Sequence, residues 1–484
     1  MGTAHAGRTY QTLCAALVSV TFLLSCVCAV WAGPEASAPQ AGTLHAASPE
    51  TMSPQARPAG SVSPAETSPL SLPARPALAA DTSLRLGMSA PFSGSGASLG
   101  REFHRGAASC LARVNANGGV HGRRVAIVAL DDAYDPERTV WNVIRLIEEE
   151  QVFALFGLVG TPTVTRVLPL LGGYPDRSVP LLFPFTGARP LSLPRHEGLV
   201  YRLRASYEAE FSQLVDRLGE AGCSRIAVFY QADAYGREGW ADLRDALARR
   251  RLPLAAEASY ARGAGKDADF TEQARLILQG RPDAVVCVAT DAACAAFIRA
   301  LRDMTEAQSG EAAVAAARTA IPVAMPSFVD SRHLADLLTA MGRGAQRDYT
   351  RDLVLAEVVP PWNGNLPAAV DYRRDFVEMA ETPEVLAAPP PAGDGLDDQA
   401  PKPGEVSFEG YLAARLVVLA LERMGPQPTP AGLQTALAGL DGHDLGIGVP
   451  YRCTPTLQGL GLVRFTTLRQ GVPVDLPDFS EWRR

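Results

Sequence analysis

The sequence lacks the residue patterns that mark most metalloenzymes and nucleic-acid-binding proteins. Beyond the N-terminal segment its histidines are few, widely spaced and outside any H-E-x-x-H or paired metal-ligand motif. These histidines are His104, His121, His196, His333 and His443. The net charge of −7 is mild and no basic stripe occurs, which argues against a nucleic-acid partner. We therefore expect a protein that is not an enzyme and needs no cofactor or metal, with His104 and His121 exposed.

Cysteine is also scarce, and its spacing fits neither a metal site nor a redox motif. Three of the eight cysteines lie in the N-terminal apolar segment, and five remain in the body of the chain: Cys110, Cys223, Cys287, Cys294 and Cys453. Cys287 and Cys294 could form a disulfide in an oxidising compartment. Because Cys287 lies inside an apolar run, a buried free thiol is the more common alternative.

The only long apolar run is at the N-terminus, and it is too short to span a bilayer comfortably. The run LCAALVSVTFLL, preceded by Arg8, is typical of a secretory signal. Cleavage after Ser25 would leave Cys26 for acylation, as in a bacterial lipoprotein, whereas VWA ending at Ala32 resembles an ordinary signal-peptidase site. We expect residues 1–32 to be a signal peptide, with the lipoprotein form favoured. The protein is then periplasmic and tethered to the membrane by a lipid anchor.

The next segment, residues 33–80, is rich in proline, alanine and serine and has no apolar periodicity. Such a composition cannot bury enough surface to fold, so we expect a disordered linker that holds the following domain away from the membrane.

From residue 82 onwards, short apolar runs alternate with amphipathic stretches, first over 84–203 and again over 208–324. Strands that are apolar throughout and separated by helices indicate parallel sheets covered on both faces, so the pattern predicts an α/β fold with two lobes. Residues 305–319 and 382–405 interrupt the pattern. We expect both to be surface insertions, the second of them disordered.

A glycine-containing loop, SAPFSGSGASLG over 89–100, follows the first predicted strand. In a dinucleotide-binding unit an acidic residue follows the glycines after about 20 residues, at the end of the next strand. Here Asp131 and Asp132 lie nearly twice as far along the chain, and dinucleotides are scarce outside the cytoplasm. The dinucleotide interpretation is therefore not favoured.

The same loop begins a series of motifs that resembles the substrate-binding proteins of ABC importers for branched-chain amino acids and amides. The series includes VNANGGVHGRR, DDAYDP, FALFGLVGTPT, VPLLFPFTGARPL and YQADAYGREG, and the resemblance extends from about residue 84 to about residue 465. It implies a leucine-binding-protein-like, type I periplasmic binding protein with two Rossmann-like lobes joined by three hinge crossings. It also implies a ligand in the cleft between the lobes and an ABC permease as partner. We expect residues 82–203 and 358–455 to form the first lobe, and 204–357 and 456–475 the second.

Candidate ligand-binding residues follow from both the local pattern and the resemblance. Thr161 and Thr163 begin a helix after a strand, where hydroxyl and amide groups can bind a carboxylate or amide oxygen. An N-cap role is the alternative for Thr161. The other candidates are Thr186, Gly187, Tyr207, Tyr235, Thr290, Asp291, Ser327, and Ser93 or Leu99 from the first loop. A turn tyrosine that only packs between the lobes is the alternative for Tyr235, and a plain turn is the alternative for the first loop.

One position departs from the family pattern. Members that bind amino acids have a carboxylate for the ligand's ammonium group where this chain has Ser327. Asp291 or Asp330 could substitute, although a loop aspartate is usually exposed and solvated. We therefore expect an amino acid, an amide or a small carboxylate, including an aromatic acid, as ligand. A ligand-sensing or regulatory module that acts by protein contact is the alternative function, and it would have a cleft filled by bulky side chains.

Overall fold

The computed structural model describes residues 83–174, 179–313, 320–389, 402–454 and 457–479, without the side chains of 307–313. The predicted signal peptide with Cys26, the predicted linker and residues 390–401 of the second insertion lie outside these residues. In the described part of the chain, no helix is long and apolar enough to cross a membrane. Nor do three or more histidine, cysteine, aspartate or glutamate side chains group there as metal ligands.

The first sheet is parallel throughout and has the strand order β2-β1-β3-β4-β5. Its strands are β1 (Leu84–Ala90), β2 (Val125–Asp131), β3 (Ala154–Phe156), β4 (Leu181–Leu182) and β5 (Val200–Tyr201). The helices between them are α1 (Ala97–Ala116), α2 (Pro136–Glu148) and α3 (Thr161–Leu171). Strand β3 is buried along its whole length, as expected for a parallel strand covered on both faces.

The second sheet begins with β6 (Ile226–Gln231), β7 (Leu254–Tyr260), β8 (Ala284–Val288), β9 (Val323–Met325) and β10 (Leu353–Glu357). Its helices are α4 (Tyr207–Glu220), α5 (Ala234–Arg249), α6 (Thr271–Gln279), α7 (Asp291–Ala313) and α8 (Ser331–Ala345). After a short ribbon of β11 (Arg452–Cys453) and β12 (Gln458–Gly459), the chain adds β13 (Arg464–Arg469) and β14 (Val472–Asp475). The resulting order is β14-β13-β10-β9-β8-β6-β7, with β13 antiparallel to β10.

The C-terminal helices pack against the first sheet's layer rather than the second. They are α9 (Pro367–Glu378), α10 (Pro383–Leu386), α11 (Glu405–Met424) and α12 (Leu433–Ala438). Helices α9, α10 and α11 all contact α1. We call the first sheet with α1–α3 and α9–α12 lobe 1, and the second sheet with α4–α8 lobe 2.

The chain passes between the lobes three times, after β5, after β10 and after β12. The first and third crossings lie side by side, because the Leu460 N–H donates to the Leu203 carbonyl at 2.7 Å. Three adjacent connections let two compact halves rotate relative to each other without unfolding either one.

The structure differs from the sequence-based expectation at both insertions. Helix α7 runs to Ala313, so the segment that was expected to begin an insertion at residue 305 continues a helix. Within 382–405, residues 383–386 form α10, where Val385 is buried and Glu384 accepts hydrogen bonds from Asn115 and Arg124. Helix α8 was not predicted. The expectation that His104 is exposed is wrong as well, because this side chain is buried in α1.

Candidate functional site

The loops at the carboxyl ends of the parallel strands of both lobes meet at one place. Ligands in open α/β sheets bind at this edge, because helix N-termini and loop amides are exposed there. Phe328, in the loop after β9, lies 5.9 Å from Phe185, in the loop after β4, between ring centroids. Ser98 of α1 donates a hydrogen bond to Asp291 of α7 at 2.5 Å. The lobes therefore contact each other across this edge, as in a closed cleft.

Five aromatic side chains from the two lobes, which we call the cleft aromatic cluster, form the centre of this region: Tyr134, Phe185, Tyr207, Tyr235 and Phe328. The Phe328 ring lies 4.6 Å from Tyr235 and 6.0 Å from Tyr134, between centroids. Tyr207 and Tyr235 are 5.7 Å apart. All five are at most 2% exposed, so in this closed arrangement their rings contact one another and fill the centre of the cleft, which is the feature expected of the protein-contact alternative. A ligand would contact these rings only after the lobes move apart.

Polar atoms in and beside this cluster lack hydrogen-bond partners among the described residues. They are the hydroxyl oxygens of Tyr134, Tyr207, Tyr235 and Thr290, all buried. Burial raises the pKa of Tyr207 to about 12, and it raises the pKa of Tyr235 well above its usual value, so both hydroxyls keep their protons. Because an unpaired buried hydroxyl costs free energy, a ligand that paired with these groups would gain free energy here.

Thr161 and Thr186 lie together beside the cluster. Their hydroxyl oxygens are 2.8 Å apart, and both side chains are fully buried. The Tyr207 hydroxyl faces both of them without hydrogen-bond geometry. Thr161 is the first residue of α3, and the N-cap is Gly160, which has no capping side chain. The alternative of Thr161 as N-cap therefore does not apply, and the first turn of α3 adds amide groups and a partial positive charge.

Thr163 and Gly187 lie nearby but have structural contacts. The Thr163 hydroxyl donates to the backbone carbonyls of Val159 and, at 2.8 Å, of Gly160, so its proton is used within the helix start. The Gly187 carbonyl accepts a hydrogen bond from the Tyr207 N–H at 3.0 Å. A Cβ at Gly187 would lie 2.8 Å from that nitrogen, so only glycine lets this loop approach the first crossing so closely.

Ser327 is directed into a buried cluster of charges. Its N–H and its hydroxyl each donate to the Glu210 carboxylate at 2.8 Å. Arg204 donates to the Ser327 carbonyl at 3.1 Å and forms a two-bond ion pair with Glu409, at 3.0 and 3.1 Å. Burial raises the pKa of Glu210 to about 6 against the opposing effect of Arg204. A carboxylate therefore does lie beside Ser327, but it comes from α4 and is occupied by Ser327 itself.

Asp291 joins the two lobes. Its carboxylate accepts from the Ser98 hydroxyl of α1 and lies 2.8 Å from Nδ1 of His333 in α8. Burial by itself would raise the pKa of Asp291, but His333 and Ser98 outweigh it and lower that pKa. Asp330 caps α8 by accepting from the Arg332 and His333 N–H groups. Both aspartates are less than 10% exposed, so the expectation of an exposed loop aspartate is wrong for each.

Ser98 lies in a G-x-S-x-G stretch, Gly96–Gly100, a spacing that also occurs around nucleophilic serines. Here its hydroxyl donates to a carboxylate, and Asp291 rather than Ser98 contacts His333. A nucleophilic serine needs a base that takes its proton, with the base oriented by the acid. The order of these three groups is therefore that of an interlobe contact rather than that of a catalytic triad.

The first loop contributes less than expected to the cleft. The Ser93 hydroxyl donates to Asp131 at 2.6 Å within lobe 1. Leu99 is fully buried in a hydrophobic cluster that includes residues of both lobes. Thr290 lies in lobe 2, in the loop between β8 and α7. Its N–H donates to the Tyr260 hydroxyl at 3.2 Å, while its own hydroxyl lacks a partner in the described structure.

Sequence reasoning missed three members of the cluster. Phe185 directly precedes the named candidate Thr186, and Phe328 directly follows the named candidate Ser327. An aromatic residue beside each candidate was the available signal. Tyr134 lies in the quoted DDAYDP motif and has a positive φ of 61°, which turns its ring into the cleft region. That backbone conformation is uncommon outside glycine and was not predictable from the motif.

Comparison with known proteins identifies the family. The sequence profile of the family described as "Periplasmic binding protein" matches residues 83–330, just over half of the chain. The chain belongs to the periplasmic binding protein family. The predicted family and the predicted type I fold are thereby confirmed, and the members of this family are substrate-binding proteins rather than enzymes. Membership also implies an extracytoplasmic location.

Solved structures of this family agree over nearly the whole body. A possible leucine/isoleucine/valine-binding protein from Rhodopirellula baltica is 26% identical, with a TM-score of 0.69, over 83% of this chain and 98% of that one. A substrate-binding periplasmic protein from Ralstonia solanacearum is 27% identical, with a TM-score of 0.66, over 79% of this chain and 97% of that one.

Similarity to curated relatives covers shorter stretches. Leu/Ile/Val-binding protein homolog 7 of Brucella suis is 29% identical over 165 residues, which are 32% of this chain and 39% of the relative. An amino acid binding protein of Pseudomonas aeruginosa is 33% identical over 72 residues, 15% of this chain and 19% of the relative. This periplasmic binding protein thus spans well under two thirds of the length of each of these curated relatives.

Proposed function

We propose that this protein is the solute-binding component of an ABC importer and that it binds an amino acid, an amide or a small carboxylate in the cleft. The observation that carries the proposal is the set of four buried hydroxyls, on Tyr134, Tyr207, Tyr235 and Thr290, that have no hydrogen-bond partner among the described residues. Protonated tyrosine hydroxyls are donors, so the complementary ligand group is an acceptor such as a carboxylate or amide oxygen.

The arrangement supports a ligand with one polar end and one apolar end. The Thr161–Thr186 pair and the first turn of α3 supply further donors on the side of lobe 1. The rings of Phe185 and Phe328 supply apolar contact. The Glu210 carboxylate is already engaged by Ser327, so recognition of an ammonium group is less well supported than recognition of the acceptor end.

Hinge closure follows from the positions of these groups on different lobes. Tyr134 and Thr161 belong to lobe 1, whereas Tyr235 and Thr290 belong to lobe 2. A ligand contacts both sets only when the cleft is closed, so it shifts the open–closed equilibrium by its differential affinity for the two states. The closed form would then dock on a permease. The hinges would lie near Arg204, Ala356 and 459–461.

The domain boundaries and the membrane tether are part of the same proposal. Lobe 1 would comprise residues 82–203 and 358–455, and lobe 2 residues 204–357 and 456–475. A signal peptide over 1–32, acylation of Cys26 and a linker over 33–80 would hold both lobes close to the permease.

The test is titration calorimetry with a panel of amino acids, amides, small carboxylates and aromatic acids, combined with thermal melting. Tyr235→Phe removes one unpartnered hydroxyl and keeps the ring. We expect it to bind the stabilising ligand about tenfold more weakly. The melting temperature of the unliganded protein should stay the same or rise, because no existing hydrogen bond is lost. Thr161→Ala should weaken binding by a similar factor.

Tyr174→Phe is the matched control, since its hydroxyl bonds to the exposed Glu148 at 3.1 Å and lies outside the cluster. It should leave the affinity unchanged. If Tyr235→Phe destabilises the unliganded protein and no compound in the panel binds, the cluster is packing rather than a ligand site. The protein-contact module would then be the better interpretation.

A further inference from the structure

Cys287 and Cys294 lie in contact in the core of lobe 2. Their sulfur atoms are 2.9 Å apart, about 0.9 Å longer than the S–S bond of about 2.05 Å. Cys287 is on β8 and Cys294 is in the first turn of α7, and both side chains are fully buried. The elements are packed so that small side-chain adjustments would bring the two sulfurs to bonding distance.

The segment between the two cysteines carries part of the candidate ligand site. It includes Thr290, with its unpartnered hydroxyl, and Asp291, which contacts Ser98 of lobe 1. The Cys294 N–H donates to the Thr290 carbonyl at 2.8 Å, and the Thr290 N–H donates to Tyr260. A covalent bond between the cysteines would close a ring around this segment and limit its movement.

We propose that Cys287 and Cys294 form a disulfide in the exported protein and that this bond fixes the loop carrying Thr290 and Asp291. The extracytoplasmic location of the family supplies the compartment in which disulfides persist. The oxidant is a disulfide of the exchange class. Each cysteine loses one proton, the S–S bond forms, and the two electrons reduce the oxidant's disulfide to two thiols.

The surroundings of the pair indicate when the bond forms. Burial, with a further effect of the neighbouring Cys287, raises the pKa of the Cys294 thiol well above its usual value. Because the thiolate is the reacting species, the folded dithiol is slow to oxidise and the folded disulfide is slow to reduce. The bond therefore forms before the core of lobe 2 closes, during folding after export.

Peptide mapping of the full exported chain tests the bond directly. Trypsin leaves both cysteines in one peptide, residues 276–299, because Arg281 is followed by proline. We expect this peptide, denatured and alkylated without prior reduction, to carry no alkyl group and to be two hydrogen atoms lighter than the dithiol. After reduction it should take up two alkyl groups. Cys110 and Cys223, alkylated in the same unreduced sample, control for access of the reagent. Two alkyl groups on the unreduced peptide would overturn the proposal.

Hydrogen exchange tests the effect on the loop. In a Cys287→Ser, Cys294→Ser variant we expect faster exchange of the amides of residues 289–294 and a melting temperature several degrees lower than in the oxidised protein. Cys110→Ser, in the core of lobe 1, is the control and should leave exchange in this loop unchanged. Unchanged exchange in the double variant would refute the fixing of the loop.

The link to ligand binding rests on the proposed function, whereas the bond itself does not. If both the oxidised protein and the double serine variant fail to bind any compound of the panel, the proposed function fails while the peptide map still decides the bond. If the oxidised protein binds, the double variant should bind more weakly.

Discussion

His104 is a buried histidine of α1, the helix that follows the glycine-containing loop. It is 1% exposed, its ring packs edge-on against Phe92 at 5.8 Å, and neither ring nitrogen has a hydrogen-bond partner in the described structure. Burial lowers the pKa of His104 to about 4, with a smaller effect of Arg105. At neutral pH the side chain is therefore an uncharged member of the core.

The pH dependence of stability should report this burial. Below pH 6.5 the unfolded chain takes up a proton at His104 while the folded protein does not, so stability falls as the pH is lowered towards 4. The full difference corresponds to about 3 kcal/mol of unfolding free energy. We expect His104→Leu to have a shallower decline of unfolding free energy between pH 6.5 and 4 in denaturant titrations.

Measurements above pH 7 are the internal control, because there the two proteins differ only in packing. An equally steep decline in His104→Leu would mean that His104 is protonated in the folded protein and is not buried as described.

At the scale of elements, lobe 1 depends on the close approach of α1 and α11. A Cβ at Gly410 would lie 2.1 Å from the Phe103 carbonyl, and a Cβ at Gly106 would lie 1.7 Å from the Ser407 carbonyl. Both obstacles are backbone atoms, which cannot move without moving the helix. Glycine at these two positions brings together helices that are about 300 residues apart in sequence.

Gly410→Ala should therefore destabilise the protein. The methyl group forces α1 and α11 apart, at a cost of roughly 1–3 kcal/mol typical of overpacking. Chemical denaturation would measure the loss. Gly344→Ala is the matched control, because Gly344 is exposed in α8 with nothing within 4 Å of the added Cβ. It should be neutral or stabilise by up to about 1 kcal/mol. Equal effects of the two substitutions would contradict the packing argument.

At the scale of the whole molecule, the contact of Ser98 with Asp291 joins lobe 1 to lobe 2. Neither Ser98 nor Asp291 is a member of the cleft aromatic cluster. Since this contact exists only when the lobes are together, it stabilises the closed state selectively. Its free energy is that of a hydrogen bond to a charged group, about 1.5–3 kcal/mol.

Ser98→Ala should shift the molecule towards the open state. We expect the affinity for the ligand to fall several-fold and the radius of gyration of the unliganded protein, measured by small-angle X-ray scattering, to rise. Ser109→Ala is the control, because that hydroxyl bonds to the Arg105 carbonyl within α1 at 2.8 Å. A Ser98→Ala variant with unchanged affinity and unchanged scattering would show that the contact does not influence closure.

The spacing of apolar residues along the chain predicts most of the strands and helices but not the contacts between them. The apolar runs within 84–203 and 208–324 predict buried strands, and the structure has such strands in the two sheets, for example Leu84–Ala90 and Ala284–Val288. Helix α8 was missed, although its polar N-cap, Asp330, is a standard start signal. Thr161 and Thr186 were both named as candidates, but their direct contact was not predicted. They are 25 residues apart, and only the adjacency of β3 and β4 brings them together.

The sequence by itself determined the alternation of strands and helices and the family, because both depend on the order and spacing of residues along the chain. The tertiary structure alone decided that Tyr134 meets Phe328, that Asp291 bonds to Ser98, and that Ser327 is occupied by Glu210. Each of these pairs joins residues more than 100 positions apart. No periodicity specifies such a contact: the first two pairs form only when the two lobes bring the ends of their strands to the same edge, and the third forms only when α4 packs beside the loop after β9 within lobe 2.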